Sequence, residues 1–530
     1  MAIWCAVDVS RRAVLDPQHP GSHRTDLTVY TEAGVAFFDG REPYDVTNIR
    51  GWKYLYPPLF AIVVSPLHAL PSTCQATIFF AVSILLCLGS YLECRRLLVA
   101  WAEDQPRESR DSLDRFVQRL CGLAALTVLF PALNCLQRGQ VGVVALYPLL
   151  LGFRLVLLGK TPTAWCVGGL LLALPIVIKL TPILPVFCVL LTLLVALYRH
   201  SRHPYRQQLP LAAAAAATPQ GLLDEAGSRS IPRSFQDHRG PCWTATGFVA
   251  GCLLFVLVIP GSLIGWQPNL RHLNTWLHRI VIKVEYDRMD TFAGQSTSIR
   301  NQSLLNGLQR FGNWAAYEFA GGPDDLLLDT APPAIGVMPM DDPRAMFIVD
   351  LLRVISGVVL IAAVVTLGYR GDQLSLGFAL GLGAVATFVV SPVARAHYFV
   401  LYLPAVLYGG LWLRQRMSER RALQFAAIPM LLCLTHYLAL PYAGRLGVLG
   451  IGTTIWFFAA CAIVLTDFVA CRAERSARTP SGPRDASFRQ DDTSDLPSHL
   501  QAHRGTVNDD LVAAAHMILA IAQRGVGQAP

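Results

Sequence analysis

The chain has 530 residues, 53% of them apolar and only 15% charged, with a mean hydropathy of +0.42. That balance lies outside the range of ordinary soluble domains and marks a membrane protein. The formal charge of +8 lies between the apolar blocks and comes more from Arg than from Lys, which suits loops beside anionic membrane lipid better than a nucleic-acid partner. Thirteen Cys are scattered without any C-x-x-C pair, so they are expected to be packing residues, with no metal site.

In chain order, MAIWCAV supplies only seven apolar residues before Asp8, too few for a span or a signal-peptide core. Either a first helix is lost upstream of Met1, or the block after Tyr54 inserts with its N-terminus outward. Residues 26–58, DLTVYTEAGVAFFDGREPYDVTNIRGWKYLYPP, form a polar, aromatic-rich run expected to be an external loop, so 1–53 is read as an N-terminal external piece. Apolar blocks then recur near 54–70, 74–93, 118–134, 141–158, 163–178, 180–198, 243–266, 346–368, 373–391, 397–413, 422–440 and 447–471. Their lengths predict an all-α polytopic bundle of about eleven or twelve transmembrane helices over 54–471.

The basic loops RHSRHPYRQQ at 199–208, RQRMSERR at 414–421 and CRAERSAR at 471–478 are expected on the cytoplasmic side. This puts the long segment 267–345 outside, as a loop able to cover a site. In the first half the scheme falters, because full crossings everywhere would also place the Arg-bearing loop 94–117 outside; one block there is expected to be re-entrant or miscounted. The run LAAAAAATP at 211–219 reads as a linker, and 472–530 as a disordered cytoplasmic tail with an amphipathic stretch, DLVAAAHMILAIAQ.

Few ionisable residues fall within the apolar blocks, and a charge there costs about 2.5–3.5 kcal/mol on insertion scales. Lys179 in LPIVIKLTPILP lies beside a Pro-rich helix break and is well placed to meet an anionic phosphate; the alternative is an ammonium snorkelling to the interface. Arg395 and His397 in SPVARAHYFVLYLP can bind a phosphate together or serve as ordinary interfacial residues. SIRNQSLLNGLQRFG at 298–312 packs amide, hydroxyl and Arg side chains closely, which suggests sugar binding. Asp26 alone reads as a solvated acid, and Tyr30, Tyr44, Tyr54 and Tyr56 as belt aromatics. No D-x-D triplet, Gly-rich phosphate loop or G-x-S-x-G elbow occurs.

The order of these motifs resembles glycosyltransferase family 87. It runs D-x-x-x-Y, then A-x-x-x-F-x-x-G-x-x-P-Y, Y-P-P-L, the Gly139-Gln140 turn, I-K-x-x-P, N-Q-S-L and a late S-P with H-Y. The resemblance covers about Asp26 to Leu440. It implies a GT-C membrane fold and transfer of a hexose, typically mannose, from a polyprenyl-phosphate donor to a lipid or glycan acceptor on the outer face of the plasma (inner) membrane, without a cofactor. Asp26 matches the family's general base. Lys179, Arg395 and His397 become candidates for the donor phosphate, and Asn301, Gln302, Ser303, Tyr44 and Tyr56 for sugar or acceptor contacts. Members usually carry a helix ahead of the Asp, which this chain lacks, and the tail has no counterpart. A transporter or lipid flippase for a phosphate-bearing substrate is the alternative, but the halves show no internal repeat and the loop carboxylate would have no role. A membrane scaffold would leave Lys179 and the 298–312 cluster unexplained.

Overall fold

A computed structural model describes residues 2–12, 14–16, 19–23, 25–47, 53–103, 110–202, 239–282, 302–304, 307–308, 343–391, 393–439, 443–444 and 446–478. Asn301, the 211–219 linker and the apolar stretch of the tail lie outside them. The chain divides into two compact units, Met1–Cys471 and Arg472–Pro530. Only the helical residues 472–478 of the second are described.

The protein is an all-α polytopic membrane protein, whose only strands among the described residues form a short antiparallel ribbon, β1 (Leu15–Asp16) and β2 (His19–His23). Ahead of it, α1 (Ala2–Arg12) is closed by an Arg12–Asp8 ion pair of 2.7 Å, and its Val9 packs on Ala76 and Phe80. The expected apolar run at the N-terminus is thus a short helix against the bundle.

Part of the stretch expected as a loop is also helical, since α2 (Leu27–Phe38) is buried on most sides. It lies against α3 (Pro58–Val64) and the 3-10 turn Ser65–Ala69, and a side chain at Gly34 would collide with the Ala61 carbonyl. Pro57 and Pro58 set where α3 starts, and Pro66 ends its regular hydrogen bonding. Each piece of this hairpin is about 18 Å long, shorter than the hydrocarbon layer.

The bundle follows as α4 (Ser72–Glu103), α5 (Arg110–Arg138), α6 (Gly142–Leu158), α7 (Pro162–Ile178), α8 (Ile183–Arg202), α9 (Arg239–Leu253), α10 (Ile259–Ile264) and α11 (Trp266–Trp276). After the long loop come α12 (Pro343–Arg370), α13 (Gln373–Val390), the 3-10 segment Ala396–Leu401 leading into α14 (Tyr402–Arg414), α15 (Glu419–Leu438) and α16 (Val448–Arg478). All twelve apolar blocks are helical at least in part. Among the described residues seven helices are long and apolar enough to cross a membrane, fewer than the eleven or twelve expected, and five apolar helices are shorter. The Pro and Gly breaks account for part of the difference. They end α6 and α7 at 17 residues each and split the first block.

Apolar on all sides, α13 is buried from Leu374 to Val389 and forms the centre of the bundle. α7 and α9 approach through glycines: a side chain at Gly169 would strike the Thr244 carbonyl, and one at Gly247 the Cys166 carbonyl. A π-helical turn, Leu254–Val258, joins α9 to α10, and Asn269 of α11 donates to the Val256 carbonyl at 3.1 Å. At the far end of the bundle Asp467 binds Arg370 and accepts from Arg416 at 2.9 Å, and the Arg416 guanidinium lies 3.6 Å over the Trp412 ring. This cluster fastens the ends of α12, α14 and α16 together.

Candidate active site

The site gathers at helix ends. Arg138 closes α5 and is followed by Gly139, whose φ of +65° allows the chain to reverse into α6. That turn holds the start of α2: the Asp26 amide donates to the Arg138 carbonyl at 2.8 Å, and the Gln140 side-chain amide donates to the Asp26 carboxylate. As N-cap of α2, Asp26 makes no side-chain cap bond and spends its carboxylate elsewhere.

Lys179 is the C-cap of α7, at the break before α8. Only 3% exposed, its ammonium has no hydrogen-bond partner and lies 3.6 Å over the Tyr398 ring and 5.9 Å from that of Tyr56. Both Arg395 and Asp26 are close enough to interact with it electrostatically. Arg395 begins the 3-10 segment that carries His397 and Tyr398, and both Arg395 and His397 are buried. His397 Nε2 has no hydrogen-bond partner, while the His397 carbonyl accepts the Cys135 thiol at 3.3 Å. Arg138 is within electrostatic reach of Arg395 and His397. Four basic side chains thus converge near one carboxylate.

The aromatic residues make a wall beside this group. Tyr44 stacks on Tyr54 at 5.9 Å, Tyr54 meets Tyr56 edge-on at 5.8 Å, and Tyr56 meets Tyr30 at 5.7 Å. Tyr54 donates to the Pro57 carbonyl at 2.6 Å, which fixes the cluster to the start of α3. Burial pushes the Tyr44 phenol up from its ordinary pKa, with Glu42 adding to the effect. Tyr56 therefore touches the cationic group through Lys179, whereas Tyr44 is a layer behind it.

Residues 302–304 reach the same end of the bundle. The Gln302 amide donates to the Ala394 carbonyl at 2.7 Å, next to Arg395, and its side chain donates to the Gly444 carbonyl at 3.3 Å. Gln302 and Ser303 are fully buried, and Gly450 leaves room for the Gln302 carbonyl. The start of the long loop closes over the aromatic wall: Trp276 donates to the Leu55 carbonyl at 3.2 Å, and Arg279 pairs with Asp45 at 2.7 Å. On the same helix His272 packs edge-on to Phe37 at 5.0 Å, with both ring nitrogens buried and unbonded. Burial, with Arg271 contributing, lowers the His272 pKa from 6.5.

Residues 54–223 match the family model of glycosyltransferase family 87. The match indicates a glycosyltransferase embedded in a membrane. It takes in Tyr56, Gly139, Gln140 and Lys179 and stops short of Asp26, Gln302 and the Arg395–His397 segment. No curated protein and no solved structure gives a significant match. Sequence reading missed the contacts that Gln140, Arg138 and Tyr398 make here. Gln140 and Tyr398 stood inside motifs already singled out, but which side chain each would face depends on contacts across more than a hundred positions.

Proposed function

We propose that the protein transfers a hexose, mannose in the first instance, from a polyprenyl-phosphate donor to a lipid or glycan acceptor on the outer face of the plasma membrane. The observation that carries this reading is the convergence of Lys179, Arg395 and His397 near a single carboxylate, Asp26, which Gln140 restrains. In an inverting displacement Asp26 removes the acceptor hydroxyl proton as that oxygen attacks the anomeric carbon. The bond from that carbon to the phosphate oxygen breaks, and the lipid phosphate departs as an anion toward the cations. Gln302, Ser303 and Asn301, with Tyr44 and Tyr56, are the proposed sugar and acceptor contacts, Tyr56 being the nearer of the two tyrosines to Lys179.

The outward orientation draws support from polarity along single helices. α8 runs from the Lys179 break to Arg199, and α14 from the His397 segment to the basic 414–421 loop, so the site and the basic ends lie at opposite poles. If the short α2–α3 hairpin stays at the site pole, α4 and α5 become a full crossing pair and the Arg-bearing 94–117 region falls at the basic pole. This restores the alternation that the first half had lost.

Membranes containing the protein, supplied with polyprenyl-phosphate-[14C]mannose, are expected to incorporate label into lipid or glycan, and Asp26→Asn and Asp26→Ala are expected to abolish it. Normal incorporation by both variants at equal insertion would refute the assignment of the base. Movement of the donor across the bilayer without a new glycosidic bond would favour the flippase alternative.

A further inference from the structure

At the basic pole, away from the candidate site, the ends of α4, α14 and α15 frame a cavity of about 300 Å³ lined by Trp101, Leu411, Arg414, Gln415 and Glu419. Two apolar spans end on lining residues, Ser72–Trp101 and Ala396–Arg414, and a third begins at Asp111 on α5. The cavity therefore lies at the depth where hydrocarbon gives way to lipid head groups.

The chain makes this space by reversing. α14 closes at Arg414, and after Ser418 as N-cap α15 opens with Glu419 in its first turn, which sets a cation and an anion on either side of one short turn. Among the described residues the two make no ion pair with each other, because one face of α5 holds them apart. Arg414 donates to Ser112 Oγ at 3.1 Å and its guanidinium lies 5.1 Å over the Phe116 ring, while Glu419 pairs with Arg119 at 3.5 Å. Ser112, Phe116 and Arg119 follow one another at spacings of four and three, so the anchors Ser112 and Arg119 stand about 10 Å apart along the helix. Each charge keeps bonding capacity for a ligand, since a guanidinium carries several donors and a carboxylate several acceptor sites. Trp101 and Leu411 are buried and make the apolar part of the lining.

We infer that this cavity binds the phosphoethanolamine head group of a membrane phospholipid, its phosphate on Arg414 and its primary ammonium on Glu419. The inference is independent of the transfer reaction proposed above. The volume, at the small end of ligand pockets, suits a head group rather than acyl chains. A choline head group has no N–H to donate to Glu419, and a purely anionic one would set its charge against that carboxylate.

The test is native mass spectrometry of the full-length protein equilibrated in detergent with equal amounts of dioleoyl phosphatidylethanolamine, phosphatidylcholine and phosphatidylglycerol. The unaltered protein is expected to retain the ethanolamine lipid about tenfold over each of the others. Glu419→Gln, which keeps the shape and removes the charge, is expected to bring that ratio over the choline lipid to within about twofold. Arg420→Gln, at an exposed position outside the cavity, is expected to leave it unchanged. Equal retention of the ethanolamine and choline lipids by the unaltered protein, or a preference that survives Glu419→Gln, would overturn the assignment. Stronger retention of phosphatidylglycerol would overturn it in favour of general attraction to the basic pole. Displacement of the retained lipid by an equal concentration of soluble glycerophosphoethanolamine would uphold the head-group chemistry and overturn the membrane as its source.

Discussion

The side-chain amide of Gln140 donates a hydrogen bond to the carboxylate of Asp26, joining the turn after α5 to the start of α2. The bond restrains the direction in which that carboxylate faces. Gln140→Leu keeps the volume but removes the donor, and is expected to lower kcat for sugar transfer by about 10- to 100-fold with little change in KM, as loss of an orienting contact does. Steady-state kinetics in detergent would show it, and an unchanged kcat would mean that this bond does not orient Asp26.

The same turn depends on Gly139, whose φ of +65° is strained for any residue with a side chain, and whose added Cβ would lie 3.4 Å from that of Leu27. Gly40 has a similar φ of +71° with open space around it. Alanine at either position is expected to cost about 1–2 kcal/mol in stability. Only Gly139→Ala is expected to reduce transfer, because only there does the shift reach Asp26. Comparable activity in the two variants, measured at equal folded fraction, would break that link.

Lys179 lets the proposed function be separated from stability. It is buried without a hydrogen-bond acceptor, held by the faces of Tyr398 and Tyr56, an arrangement that costs several kcal/mol in desolvation and recovers about 2 kcal/mol from the rings. Lys179→Met is therefore expected to leave the unfolding temperature equal or higher while cutting transfer by about 100-fold or more. A variant that loses stability and activity together would mark Lys179 as a structural residue.

His272 gives the fold a pH dependence. Its pKa is lowered from 6.5 chiefly by burial, so the folded state favours the neutral ring and the unfolded chain binds the proton more readily. Stability from this group is complete above about pH 6.5 and is lost as the pH falls toward the folded-state pKa. Among the described residues the ring meets Phe37, and the charge acting on it is Arg271. His272→Phe is expected to flatten the decline in unfolding temperature between pH 7 and pH 5, and an unchanged slope would assign the decline to other groups.

Much of the fold was legible because a bilayer imposes a coarse rule: about twenty apolar residues make a helix, and every apolar block here became helical. Where the reading failed, neighbours decide the outcome. DLTVYTEAGVAFF looks like a loop because its polar residues obscure the helical period, yet α2 is buried around most of its circumference by α3 and the turn at Gly139. At the site, Lys179, Arg395 and His397 stand out as charges among apolar residues and could be named individually. The bond from Gln140 to Asp26 carries no such local sign, since nothing within either stretch points to the other.

The bond between the Gln302 amide and the Ala394 carbonyl, beside Arg395, has a bearing on how the protein is made. Asp26 emerges from the ribosome first, and His397 roughly 370 positions later, on the order of half a minute at ~5–20 residues per second. Throughout that interval the carboxylate exists without the Arg395–His397 pair. The cluster around Asp26 is therefore completed only when the last third of the bundle docks, so a nascent or truncated chain carries that carboxylate but not the full set of cations near it.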